Sequence, residues 1–498
     1  MSATIAKIDY ESLNLFQREM HTVRPEEEIY STFQHDYRRM TWYTKISEKL
    51  QAGGGEDELI FRANSTYHYL LDTTMHQVFP AIRVKEKFRG HIRICWPHNL
   101  GHYNFHTASL KFDNENPQNI DPVWLDQFSQ WFGKPGFRDL YNQCVGNVPL
   151  LEEWSEFLPE YTTTVKHPWY YHKDSALGIP LFLCSASVIS FTYKLRRKII
   201  DLLRMQALRD VKDEKGNILR DDKGKPLQEW VPCKCEPNFL DGLGSSGLLP
   251  HPELWGSYAY IDPTEVDYWK CKTEHTFYIE DVIMCNSLNT TTYGSGVSVD
   301  LDCKTPCKAI FWNAENIQAS KFNNFANYTT DTGNVYMGWD PCEKVELKYG
   351  NVSRLPEMHH HHFDRMEAIH NFPSAPTDAG YHAFAFTSNI MSLDAEPGIV
   401  MTGMKAKFIV NINNTDPYLK PVRGVEKDTS SRPVSLDELE LDAPASTTRV
   451  NTKNTPQFTV HVRLLVTRKL TWTWKPDKKA YIAELDTIQN SDDSLDGN

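Results

Sequence analysis

Three histidines, His98, His102 and His106, stand four residues apart, a spacing that on a helix would line one face and hold a zinc ion. Tyr103 to Phe112 alternates like a strand, however, and at about 3.3 Å per residue that geometry sets His102 and His106 roughly 13 Å apart. One metal cannot bridge that distance, so the three read as structural histidines. His359 to His362 form a run between Pro356 and Phe363. On an extended segment consecutive residues point to opposite faces, which favours a loop role over metal binding. Cys233-x-Cys235 and Cys303-x3-Cys307 together offer four thiolates, but neither pair has the two-residue spacing of the common zinc knuckles. Gly242-Leu243-Gly244-Ser245-Ser246-Gly247 matches a dinucleotide fingerprint, yet Pro250-His251-Pro252 follows and forbids the helix that would receive the phosphate. No metalloprotease helix motif, serine-hydrolase elbow or phosphate loop is present. The expectation is no catalytic residue, no cofactor-binding residue and no metal ligand, hence a function of surface shape and assembly.

The elements that would carry such a surface are strands. Ser175 to Tyr193 is the longest stretch without a charge, nineteen residues, but Gly178, Pro180, Ser185, Ser187 and Ser190 argue against a membrane span. It reads instead as a strand, a Gly-Pro turn and a second strand, buried in a sheet protein. Tyr 23, Phe 24, Trp 13 and Pro 28 in 498 residues tilt the whole chain toward strands and turns. The net charge of -12 argues against a nucleic-acid surface. Met1 to Tyr30 is polar throughout, unlike a secretory signal. Ten cysteines read as reduced thiols in a cytosolic setting, and pairing among them is left open. The sequons at Asn64, Asn289, Asn327, Asn351 and Asn413 would matter only in a secretory compartment.

Along the chain, residues 1–50 form a separate, partly helical segment, with Ile29 to Lys49 ending at the glycine break Gly53-Gly54-Gly55. Strand texture begins at Leu59, and residues 51–209 form a first unit. Lys194 to Arg209 has the spacing of an amphipathic helix, or of a strand running into one. Residues 210–252 hold an inserted ribbon (210–230) and a linker rich in proline and glycine. A second strand-rich unit covers 253–475, interrupted by a long polar loop at 416–456. Residues 476–498 form an acidic tail.

Four blocks carry a resemblance. The first is Trp96-Pro97-His98-Asn99-Leu100-Gly101-His102, followed by Ile120-Asp121 and Trp124-Leu125-Asp126. The second is Pro168-Trp169-Tyr170 with Leu177-Gly178-Ile179-Pro180-Leu181. The third is Leu254-Trp255 to Tyr260-Ile261-Asp262, and the fourth is Pro306-Cys307-Lys308-Ala309-Ile310-Phe311-Trp312 with Tyr381 to Phe386 and Glu396-Pro397-Gly398. Their types and order, over roughly residues 59–474, resemble the double jelly-roll major capsid proteins of large eukaryotic DNA viruses, the adenovirus-like lineage. The family's Gln-Pro-Ser-Gly is Glu396-Pro397-Gly398-Ile399 here, and the segments at 210–230 and 416–456 look inserted.

The resemblance implies an all-β fold of two tandem eight-stranded jelly rolls. The third block would be the entry strand of the second. It also implies a structural protein of the virion, assembled in the host cytoplasm or viral factory, that forms homotrimeric, pseudo-hexagonal capsomers tiling an icosahedral shell. Partners would be neighbouring capsomers, minor capsid or cement proteins and a penton protein. An internal membrane would be a neighbour only, and nucleic acid would not be touched directly. The alternatives are a transient double jelly-roll scaffold of virus assembly, or a metal- or glycan-binding sandwich of the cupin kind, whose histidines sit on strands.

Overall fold

The computed structural model describes residues 43–413 and 457–486, less short breaks at 114, 135, 185–187, 212–217, 221–222, 245, 286–289, 293, 302, 337, 388–389, 392–397 and 402–404. The expected loop at 416–456, the end of the acidic tail and most of the N-terminal segment lie outside the described residues.

In the second half, strands Glu274–Cys285, Gly296–Leu301, Cys307–Asn316, Cys342–Tyr349, Val352–His359, His382–Ala385, Ala406–Ile412 and Gln457–Lys475 follow one another along the chain. Numbered one to eight, they form one sheet of order 1-8-3-6 and another of order 2-7-4-5. This is the strand order of a jelly roll, whose chain passes back and forth between two packed sheets. Thr290–Thr292 and Ala480–Asp486 add to strand eight.

Period-two burial explains these strands. Gly296–Leu301 sends Val297, Val299 and Leu301 inward and leaves Gly296, Ser298 and Asp300 exposed. Strand three has no exposed residue. Its Ile310, Trp312 and Ala314 fill the jelly-roll interior, while Ala309 and Phe311 enter a different core. Strand eight also serves both cores, with Val460, Val462, Leu464 and Val466 in the jelly-roll interior and Leu465, Leu470 and Trp472 in the other core. The 1-8-3-6 sheet is therefore covered on both sides.

The cover is the first half. One of its five-stranded sheets runs Thr44–Lys49, Glu253–Tyr260, Tyr69–Phe79 and Tyr161–Lys166, with Ile179–Pro180 also on the long strand. The other runs Gln51–Gly54, Glu58–Arg62, Ile189–Leu195, Phe105–Phe112 and Glu115–Ile120. Leu59, Phe61, Leu70, Met75, Phe191 and Tyr258 share one core with Phe277, Phe311 and Trp472 of the second half. Two three-stranded sheets close a further core around Phe79, Trp96, Leu158 and Met205. The expected pair of eight-stranded units thus holds in its coarser form: a mostly β chain with jelly-roll strand order in its second half.

Several local expectations need correction. The segment 1–50 is not separate from the sheets at its end, because Thr44–Lys49 is an edge strand on Glu253–Tyr260. That same Glu253–Tyr260, expected as the entry to the second jelly roll, also pairs with Tyr69–Phe79 inside a first-half sheet. Lys194 to Arg209 is the end of one strand, a short turn at Ile199–Asp201, and the strand Arg204–Asp210; Leu202 and Leu203 enter the core of the three-stranded sheets and Leu195 the core shared by the two halves, rather than one helix face. Pro180 is not the turn: Ile179–Pro180 is a two-residue strand, and the chain turns just after it, where Leu183 and Cys184 donate to the Pro180 carbonyl. The acidic tail begins later than residue 476, since Ala480–Asp486 pairs along strand eight.

Two neighbours in strand two provide a check on the period-two assignment. Val299→Ala should lower the unfolding free energy by about 2 kcal/mol, whereas Ser298→Ala should stay within about 0.5 kcal/mol. Denaturant midpoints for the pair would read this, and equal losses would refute the facing.

Candidate functional site

Two excursions, one from each half, cross the seam in opposite directions. The helix Pro122–Trp131 leaves the first half. Asp121 caps it, accepting from the Trp124 amide at 2.9 Å, and Pro122 occupies its first turn. The same Asp121 carboxylate pairs with Arg463 of strand eight, which donates from Nε at 3.3 Å and more closely from Nη2. Trp124 packs edge-on against Phe311, with ring centres 5.3 Å apart. Gln127 donates to the Trp312 carbonyl at 3.0 Å, and Gln130 to Asp378 at 2.7 Å.

From the second half, the stretch between strands three and four lies back on the first. Asn323 donates to the carbonyls of Ile200 and Leu203 at 2.7 and 2.8 Å. Phe325 stacks on Tyr103 at 5.2 Å. Tyr328 reaches Asp126, the fully buried carboxylate at the centre of the seam.

Asp126 accepts four hydrogen bonds. Oδ1 receives His102 Nδ1 at 2.6 Å and Asn99 Nδ2 at 2.7 Å. Oδ2 receives the phenols of Tyr103 at 2.7 Å and Tyr328 at 2.9 Å. Burial and the adjacent carboxylate push both phenols well above their usual range, so they remain donors. The Asn-Leu-Gly-His turn sets this up. Asn99 adopts a left-handed φ of 54°, and a Cβ on Gly101 would come within 2.7 Å of the Val165 side chain. With every lone pair used, the carboxylate has no capacity left for a substrate; chemically it is a lock.

Two charged clusters flank it. His98 lies 2.6 Å from Glu152 and 3.6 Å from Asp378 of the second half. Burial alone would neutralise the ring, but Asp378 and Glu152 overcome it and hold His98 up at about 10. On the other flank Glu280 takes Lys173 of the first half at 2.6 Å and Lys308 at 3.0 Å. Burial would raise this carboxyl, yet the two ammonium groups prevail and depress it to about 2.

The residues singled out by spacing fall as follows. His98 and His102 have separate carboxylate partners, and His106 faces Arg196 at 3.3 Å. Cys233 sits in a first-half core and Cys303 and Cys307 in the jelly-roll interior, so the four thiols do not form one cluster. The glycine fingerprint is followed by the strand Glu253–Tyr260. Of the histidine run, His359 and His361 are exposed while His360 turns inward. Sequence reasoning did not find Glu280, Lys173, Lys308 or Arg463. A signal existed, because Lys308 and Arg463 interrupt apolar strands, and a charge there requires a partner.

Residues 268–405 match the family described as large eukaryotic DNA virus major capsid protein. The major capsid protein of Lymphocystis disease virus 1 (isolate Darai) is 21% identical over 416 residues, which span 79% of this chain and 84% of that protein. Among solved structures, VP54 of PBCV-1, fitted into a reconstruction of the virophage Sputnik, superposes with a TM-score of 0.61 at 11% identity, covering 92% of this chain and all 100% of the other. The Faustovirus major capsid protein gives 0.60 at 7% identity, over 94% and 98%. At those identities the structures speak for the shared fold.

The Glu280 cluster carries a pH signature. A folded-state value of about 2 lies below the ordinary 4.5, so its stabilisation is complete above about pH 4.5 and is lost as pH falls toward 2. Glu280→Gln should cost about 3 kcal/mol at pH 7, and the gap to wild type should close through that window. Urea midpoints at neutral and acid pH measure it; a gap independent of pH would remove the assignment.

Proposed function

We propose that this chain, similar in its family segment, its relatives and its fold to the major capsid proteins of large eukaryotic DNA viruses, is a structural protein of a virus shell and not an enzyme. It takes its place there beside neighbouring copies of the same building block. The observation that carries this reading is the seam: two β units held as one block by reciprocal excursions and buried ion pairs. A shell unit must keep its shape while its outer surfaces make repeated, individually modest contacts.

In finer terms, three chains surround a threefold axis, presenting six lobes as a pseudo-hexagonal capsomer, and these capsomers tile an icosahedral face. Residues 1–50 face inward, toward minor capsid or cement proteins; a penton protein is a further partner, with an internal membrane as neighbour only. The net charge of -12 suits a shell that does not touch the genome. The inserted segments at 210–230 and 416–456 lie on the outer face, where polar loops grow without disturbing a core. Assembly takes place in the host cytoplasm.

Electron microscopy of the purified chain tests the capsomer directly. Trimers of hexagonal outline are expected; a protein that stays monomeric at concentrations up to roughly 10 μM would refute this reading. Loss of the chain from mature particles that contain other shell proteins would assign it to a transient scaffold instead.

A further inference from the structure

His360 is the inward member of the histidine run, and besides His359 and His361 it meets side chains from outside that run. Asp340 lies just before strand four, His360 just after strand five, and His382 opens strand six. Ligand atoms of these three side chains all fall within 4.8 Å of one another. His382 Nε2 is 2.7 Å from Asp340 Oδ2, and His360 Nδ1 is 3.2 Å from the same oxygen. The two rings are 87° apart in plane, so they approach the carboxylate from different directions. Asp364, one turn beyond His360, lies 3.7 Å from its Nδ1.

The site is built rather than incidental. His382 is fully buried and His360 only 9% exposed. The Asp340 carboxylate is oriented by its other oxygen, which accepts the Cys342 amide at 2.9 Å. The His382 ring lies flat against Trp312, 5.4 Å between centres. Despite this packing, His360 Nδ1 is buried without a hydrogen bond of good geometry, a state that normally marks a missing partner. Tetrahedral donors at 2.0–2.2 Å from a zinc ion stand roughly 3.3 Å apart; the His360–Asp340 pair at 3.2 Å already fits, and the His382–Asp340 pair at 2.7 Å needs to open by about half an ångström. Two imidazoles and one carboxylate suit zinc and its first-row neighbours, and suit calcium and magnesium poorly.

We propose that Asp340, His360 and His382 bind a single divalent first-row transition cation of the zinc class, with Asp364 or water as the fourth ligand. The cation would tie strand six to both ends of the strand four–strand five hairpin, at the root of the helical turn His362–Asn371. This inference does not rest on the shell reading, because binding is a property of the single chain.

The full-length protein, stripped with chelator and dialysed, would be titrated with Zn²⁺ by calorimetry and with Co²⁺ by visible absorption. One equivalent of Zn²⁺ should bind, and Co²⁺ should give the intense bands of a tetrahedral or five-coordinate site. His360→Gln and Asp340→Asn should each weaken binding by roughly tenfold or more, with circular dichroism showing that both variants fold. The double variant His359→Gln/His361→Gln should bind as wild type does. No stoichiometric binding below roughly 100 μM would overturn the proposal, as would binding that survives His360→Gln and vanishes in the double variant. The latter would identify adventitious capture by the exposed pair.

Discussion

The 1-8-3-6 sheet of the second half is buried on both faces, and the rest of the structure follows from that. A sheet with one wet face can close a jelly roll alone; this one cannot. Phe277, Ala309, Phe311, Leu465 and Trp472 would stand in water without the first half over them. At about 25 cal/mol per Å² of apolar surface, exposing them would be a large loss against ordinary domain stabilities. The second half therefore completes its burial only when covered by the first.

Apolar contact alone does not choose one docking position. The charges buried in the seam supply that choice, since a displaced Asp126 or Glu280 would leave an uncompensated carboxylate in a dry interior. Each takes donors from both sides: Asp126 from Asn99, His102, Tyr103 and Tyr328, and Glu280 from Lys173 and Lys308. Asp121 joins the two tasks, capping the helix that crosses the seam and holding Arg463 on the far side. Helix geometry and docking register are thereby fixed by one side chain.

The sequence blocks acquire a physical meaning here. Asn99-Leu100-Gly101-His102 and Trp124-Leu125-Asp126 were legible as separate motifs, and the structure brings them onto one carboxylate. Pro306 to Trp312 and Tyr381 to Phe386 were legible as strands, and they pair, with Trp312 opposite His382. Less legible was Lys194 to Arg209, because leucines near helical spacing occur equally in a strand–turn–strand whose cores lie on two sides. Glu253–Tyr260 was read as a strand but given to the wrong half, since its aromatic alternation is the same wherever it pairs.

The sequence by itself determined the strand-rich class, the absence of a membrane-spanning pattern in its uncharged run, and the family likeness. Those properties reside in neighbours a few residues apart: alternation, turn residues and runs without charge. It also showed that spacing alone offers no zinc knuckle or catalytic triad. Only the tertiary structure decided which charges meet. Asp121 and Arg463 are separated by 342 residues and Asp126 and Tyr328 by 202, and His360 meets Asp340 and His382 as well as its own neighbours. Partners so distant are selected by the burial of whole sheets, and no local pattern records that choice.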